Sequence, residues 1–215
     1  MTDPAAPMVL PPIPSLVEFA SESVPRPLSL VLRSDTEPAH KDVERRLGLP
    51  GSIQCLADYR DCLLSFYQLY RPLETEFQQF SGWSIIGLDP PNCSLSTRLA
   101  ADLGALGVAV AEVRDAPPTS LPPLRDFAGA LGACYVIEGS ALGSQFMLPQ
   151  LKKTLGNDMT GADAFFRGRG METGAFWKSF RAALDLYGEA HPDQVSNVVS
   201  GAIDTLMAIG LWMQL

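Results

Sequence analysis

Leu131-Gly-Ala-Cys-Tyr-Val-Ile-Glu-Gly-Ser-Ala-Leu-Gly-Ser-Gln-Phe-Met147 decides how the rest of the chain is read. Its apolar residues Leu131, Tyr135, Leu142 and Phe146 suit a helix. The pattern predicts one from about Gly129 to Leu148, where Pro149 disturbs it. Yet Gly132, Gly139 and Gly143 lie inside it, and each costs a helix about 1 kcal/mol relative to alanine. Gly139 and Gly143 are four apart and share a face. With Ser140 and Ser144 beside them, that face has almost no side-chain bulk. Two readings stay open. Small residues at this spacing allow a close helix–helix crossing, or a platform where something flat lies on the backbone. Spacing alone favours the crossing.

The flanking sequence is helical too. The first helix opens near Pro27, a favoured first-turn residue, and carries the stripe Leu28, Leu32, Ala39, Val43, Leu47 before Gly48 and Pro50. Pro38 either kinks this helix or sits in the first turn of a fresh one starting at Asp35 or Thr36. A second helix starts near Ser52 with Leu56, Tyr59, Leu63, Phe66 and Tyr70. Arg71-Pro72 breaks or bends it, and Leu73, Phe77 and Phe80 continue its pattern. Ser96 reads as the N-cap of a third helix running through Gly107. Prolines 117, 118, 122 and 123 make a linker to the glycine-bearing helix. After a loop at 156–161 come a short piece at 162–166, a helix at 173–190, and a last helix from Pro192 onward. Val108–Val113 is the sole strand candidate. The fold class expected is all-α, a single-domain helical bundle over residues 27–215. Residues 1–26, with Pro4, Pro7, Pro11, Pro12, Pro14 and Pro25, read as an extended or partly disordered arm.

The 215 residues carry a net charge of −8 and are 47% apolar, which places the chain among globular proteins and argues against a nucleic-acid binder. From Ser144 to Arg181 the balance reverses, with six basic residues against three acidic ones. That reversal fits an anionic ligand or partner and equally a solvated face. The four cysteines show no CxxC spacing, and Cys62 and Cys134 read as buried thiols. No basic-then-apolar leader is visible, and the apolar tail from Val195 is interrupted by Asp204. The expectation is a cytoplasmic protein that does not span a membrane.

Histidine is scarce. His191 falls between two helices and reads as a cap or a solvated side chain. His40 lies beside the apolar stripe of the first helix, and Glu44 follows on the same face. A metal-bound histidine usually gives its other ring N–H to a carboxylate or carbonyl. A surface hydrogen bond is the commoner meaning of such a pair. No ExxH, GxSxG or GxxxxGK[ST] motif competes. One helical histidine, one bulk-free helix face and a basic stretch together suggest an axial ligand, a platform and charges for carboxylates, the parts of a haem pocket.

Four ordered blocks then resemble the haem oxygenase family, in its bacterial biliverdin-forming branch. They are Leu32-Arg33-x-x-Thr36-x-x-x-His40-x-x-x-Glu44, Phe66-Tyr67-x-x-Tyr70-x-Pro72-Leu73-Glu74, Arg98-Leu99-x-x-Asp102-Leu103-x-x-Leu106-Gly107, and Gly132-Ala-Cys-Tyr135-Val-Ile-Glu138-Gly139-Ser140-x-Leu142-Gly143. Phe165-Phe166, Trp177-x-x-Phe180 and Trp212 are weaker echoes. The resemblance implies His40 as proximal iron ligand with Glu44 as its partner. It implies Gly139, Ser140 and Gly143 on the distal face, and Arg33 and Tyr135 at the haem propionates. Ser140 stands where some members carry aspartate. The implied reaction cleaves haem, at once cofactor and substrate, to biliverdin, carbon monoxide and ferrous iron, using dioxygen and an external reductant. The implied partners are haem, an electron donor such as a ferredoxin or flavoprotein reductase, and a bacteriophytochrome as biliverdin acceptor. A haem or tetrapyrrole carrier or sensor without turnover is the alternative, and a thiaminase-like use of the fold is a third.

Overall fold

Every helix that the pattern marks is present, but several boundaries move. The computed structural model describes residues 26–87 and 95–213. Among them the order is α1 (Leu28–Leu47), α2 (Leu56–Phe77), α3 (Leu95–Ala105), α4 (Phe127–Leu155), the single-turn α5 (Ala164–Arg167), α6 (Thr173–Ala190) and α7 (Val195–Trp212). The described residues contain no strand, and Val108–Val113 holds only a 3-10 turn, Val110–Glu112. Residues 1–25 of the expected arm, and Cys93, lie outside the described residues.

Proline proves a weaker stop than the sequence suggests. Pro38, Pro72 and Pro149 all lie inside continuous helices. In α1 the reason is visible on both sides of Pro38: Leu28, Leu32 and Thr36 are buried before it, Val43 and Leu47 after it. That two-sided burial outweighs one lost backbone bond. Pro38 itself is exposed. Pro149 likewise sits on the exposed side of α4, which runs on to Leu151 and Leu155 in the core.

Two starts also differ. α4 begins at Phe127 because the Asp126 carboxylate accepts from the Gly129 N–H at 2.7 Å and caps the helix. α3 is not capped by Ser96. Glu74 reaches across from α2, accepting from the Leu95 N–H at 2.7 Å and from the Ser96 hydroxyl. A carboxylate suits the positive end of a helix, and no local pattern could reveal one supplied by a neighbouring helix.

α7 is the axis of the bundle. By length and composition, Pro192–Trp212 is apolar enough to cross a membrane. Here its Val198, Gly201, Ala202, Thr205, Leu206 and Ile209 are buried, and α7 packs along both α4 and α1. The α4–α7 crossing is close. A methyl group built on Gly132 would lie 1.9 Å from the Val198 carbonyl oxygen, and one on Gly201 would lie 2.2 Å from that of Gly129. α6 bridges α1 and α4. Its Asp185 accepts from the Ser29 N–H at 2.7 Å and from the Ser29 hydroxyl at 3.1 Å, tying down the start of α1. α1 and α4 are thus two walls held on a common base of α6 and α7.

Candidate functional site

The walls carry the residues singled out in the sequence. On α1, Arg33, His40 and Glu44 follow one another at spacings of seven and four, a single stripe beside the buried one. His40 and Glu44 are more than half exposed, with side-chain accessibilities of 58% and 65%. Nδ1 of His40 stands 3.5 Å from Oε1 of Glu44, an ion-pair separation longer than a good hydrogen bond. That orientation directs Nε2 away from Glu44. Among the described residues no three His, Cys, Asp or Glu side chains converge as a metal cage.

On α4, the stripe Gly132, Gly139, Gly143 meets three different surroundings. Gly132 is pressed on α7. Gly139 meets only the ring edge of Trp177 from α6, whose Cη2 would be 3.3 Å from an added methyl group. At Gly143 an added methyl group would meet nothing within 4 Å. Close crossing therefore accounts for Gly132, and an uncovered backbone face exists at Gly143. Beyond it Phe146 is 82% exposed, while Leu142 and Met147 are half-buried. Apolar side chains thus flank the uncovered backbone.

Ser140 is half-buried, and its hydroxyl donates to the Ile137 carbonyl at 2.6 Å. It also lies close enough to the buried Tyr70 phenol to oppose the upward shift that burial imposes there. With its proton committed to Ile137, Ser140 offers lone pairs to its surroundings.

Tyr135 of α4 packs its ring on Trp177 of α6 at 5.4 Å. Burial raises its phenol above the usual range, and the guanidinium groups of Arg181 on α6 and Arg33 on α1 pull the other way. The fields of cations on two other helices thus reach this phenol. Sequence reasoning named Arg33 and Tyr135 but only swept Arg181 into a basic stretch. Its spacing of four from Trp177 was the available signal.

Half of the basic stretch is paired. Lys152 and Arg167 pair with Asp163 at 2.9 and 3.4 Å, and Arg169 pairs with the buried Glu138 at 2.8 Å while stacking on Phe176. Arg181, Lys178 and Lys153 have no ion pair among the described residues. His191 ends α6 as expected, with its N–H donating to the Tyr187 carbonyl and its ring against that of Tyr187. A groove of about 520 Å³ lies elsewhere, between the end of α2 and the proline-rich connection. Glu76 is the only ionisable side chain lining it, so it lacks convergent polar chemistry.

A family model described as Heme oxygenase matches residues 26–214. The chain belongs to the haem oxygenase family. The match spans all seven helices, and the all-α architecture agrees with that family's fold. The comparison with curated proteins finds no match. Within a haem oxygenase, a single exposed imidazole and a bare helix face fit a flat iron macrocycle, which supplies the remaining ligands itself.

Proposed function

We propose that the protein is a biliverdin-producing haem oxygenase of the bacterial type, acting in the cytoplasm, with residues 27–215 as its catalytic domain. The observation that carries this reading is the pairing of an exposed His40–Glu44 couple on α1 with an uncovered stretch of α4 at Gly143. Haem supplies the redox chemistry and is also the substrate. His40 would hold the iron through Nε2, and Glu44 would accept from Nδ1–H, which fixes the tautomer and raises ligand basicity. Arg33, Arg181 and Tyr135 would take the propionates by charge-assisted hydrogen bonds. Gly143 would let the ring edge approach backbone, and Gly139 would line the same face beneath the edge of Trp177. Ser140 accepts from a water and holds it in place for proton delivery, rather than acting as the acid itself. An external donor, a ferredoxin or flavoprotein reductase, would deliver electrons, and Lys178 and Lys153 are the basic residues left for docking it. A bacteriophytochrome is the proposed biliverdin acceptor.

The second reading, haem or tetrapyrrole binding without turnover, draws on the same Ser140 bond: a hydroxyl whose proton is already committed is a poor donor to a reacting oxygen.

Added haemin should give a Soret band, and ascorbate or a ferredoxin system should convert it to the spectrum of biliverdin. A Soret band that persists under turnover conditions supports the second reading, and its absence removes both. His40→Ala should abolish the axial signal, because Glu44 cannot replace imidazole. An unchanged spectrum in that variant means the ligand is a different residue.

A further inference from the structure

The bare stripe of α4 stops at one side chain. Trp177 lays the outer edge of its indole on Gly139, with Cη2 and Cζ3 3.3 and 3.8 Å from where a methyl group would stand. Its ring is held between Tyr135 at 5.4 Å and the buried Phe180 at 5.8 Å, so it is braced by aromatic contacts and cannot swing freely. On one side of it, one helical turn before Gly139, lies Tyr135. On the other lies Gly143, with nothing opposite.

A porphyrin bound through one axial nitrogen is nearly fourfold symmetric about that bond. The axial ligand therefore does not decide which ring edge points where. Arginine side chains are long and follow a propionate through a range of rotations. A rigid aromatic edge in contact with the ring does not.

We propose that Trp177 is a positioning residue that sets the in-plane rotation of the bound macrocycle, and so decides which meso carbon turns toward Ser140 and Gly143. This rests on the haem oxygenase reading above. The residue acts by shape: it occupies the space over Gly139 and leaves the space over Gly143.

Proton NMR of the ferric haemin complex tests it, because the hyperfine-shifted haem methyl resonances report rotation about the axial bond whether or not turnover occurs. The wild type should show one dominant methyl pattern. In Trp177→Ala a second pattern should grow, with the ratio of the two seatings shifting by about tenfold, and the biliverdin isomers separated by chromatography should shift with it. Trp177→Phe should stay near wild type. Gly139→Ala, which pushes on the indole, should give a smaller shift in the same direction. Trp177→Leu carries the test if the alanine variant fails to fold. A Trp177→Ala complex with the wild-type methyl pattern and the wild-type isomer overturns the proposal while leaving the haem reading intact. A wild type already split evenly between patterns overturns it too. A wild type without a Soret band removes the haem reading and this role together.

Discussion

Gly132 and Gly143 lie on the same stripe of one helix and do opposite things. At Gly132 the missing side chain lets α7 approach until its backbone touches that of α4. At Gly143 the missing side chain faces open space. Between them Gly139 is covered only by the edge of Trp177. The lesson is that a small-residue stripe records where bulk is forbidden, not what forbids it. Two crossing helices diverge, so one stripe can pass from a packed contact to a ligand face within three turns.

Substitution breaks or sharpens this contrast. The largest effect should come from Gly132→Ala. Its new methyl group overlaps backbone that cannot move aside, so we expect a loss of about 3 kcal/mol or more in urea unfolding, despite the gain in helix propensity. A near-neutral result would mean that α4 and α7 are not in contact there.

Arg169→Ala tests the border between the two regions. Glu138, 3% exposed, lies next to Gly139 and pairs with Arg169. Removing the arginine strands a buried carboxylate, and stability should fall by about 3 kcal/mol. Arg169→Ala with Glu138→Gln should recover much of that loss.

Asp102 gives a pH-dependent control away from both glycines. Burial holds its carboxyl above the ordinary value, although the N–H groups of Phe165 and Ala164 donate to it and work the other way. Its folded pKa therefore exceeds its unfolded one. The group favours the fold below the unfolded pKa, and that contribution is lost as pH rises through the folded pKa. Asp102→Asn should accordingly lose stability more steeply than wild type on acidification from pH 7 toward about pH 4. Parallel curves of urea midpoint against pH would count against the shift.

The smallest stability effect belongs to Gly143→Ala. With nothing within 4 Å, the substitution should raise stability by up to about 1 kcal/mol. Haemin affinity should fall if the ring rests there. A variant that is both more stable and equally tight in a haemin titration would show that Gly143 is not part of a binding face.

Much of the bundle was legible because burial writes itself as periodicity. Leu28, Leu32, Val43 and Leu47 announced α1, and all four are buried. The bounds expected for α6 coincide with those observed. Misreadings came where a local signal met a distant partner. Pro38 and Pro149 looked like breaks, but the buried residues on either side hold their helices together. Ser96 looked like a cap, but Glu74 of α2 does that work. Within the basic stretch ending at Arg181, a charge count along the chain gave no sign that Asp163 and Glu138 pair with Lys152, Arg167 and Arg169.

From sequence alone came the helical class, the stripe on each helix, the His40–Glu44 spacing and the positions where α4 has no bulk. Those are properties of a residue and its near neighbours, set by the 3.6-residue turn. Which glycine meets a helix, which meets Trp177 and which meets nothing was decided only when α6 and α7 packed on α4. So was the aromatic bracing of Trp177 between Tyr135 of α4 and Phe180 of α6. Packing directions come from side-chain shape summed over the whole core, and no stretch of one helix contains that information.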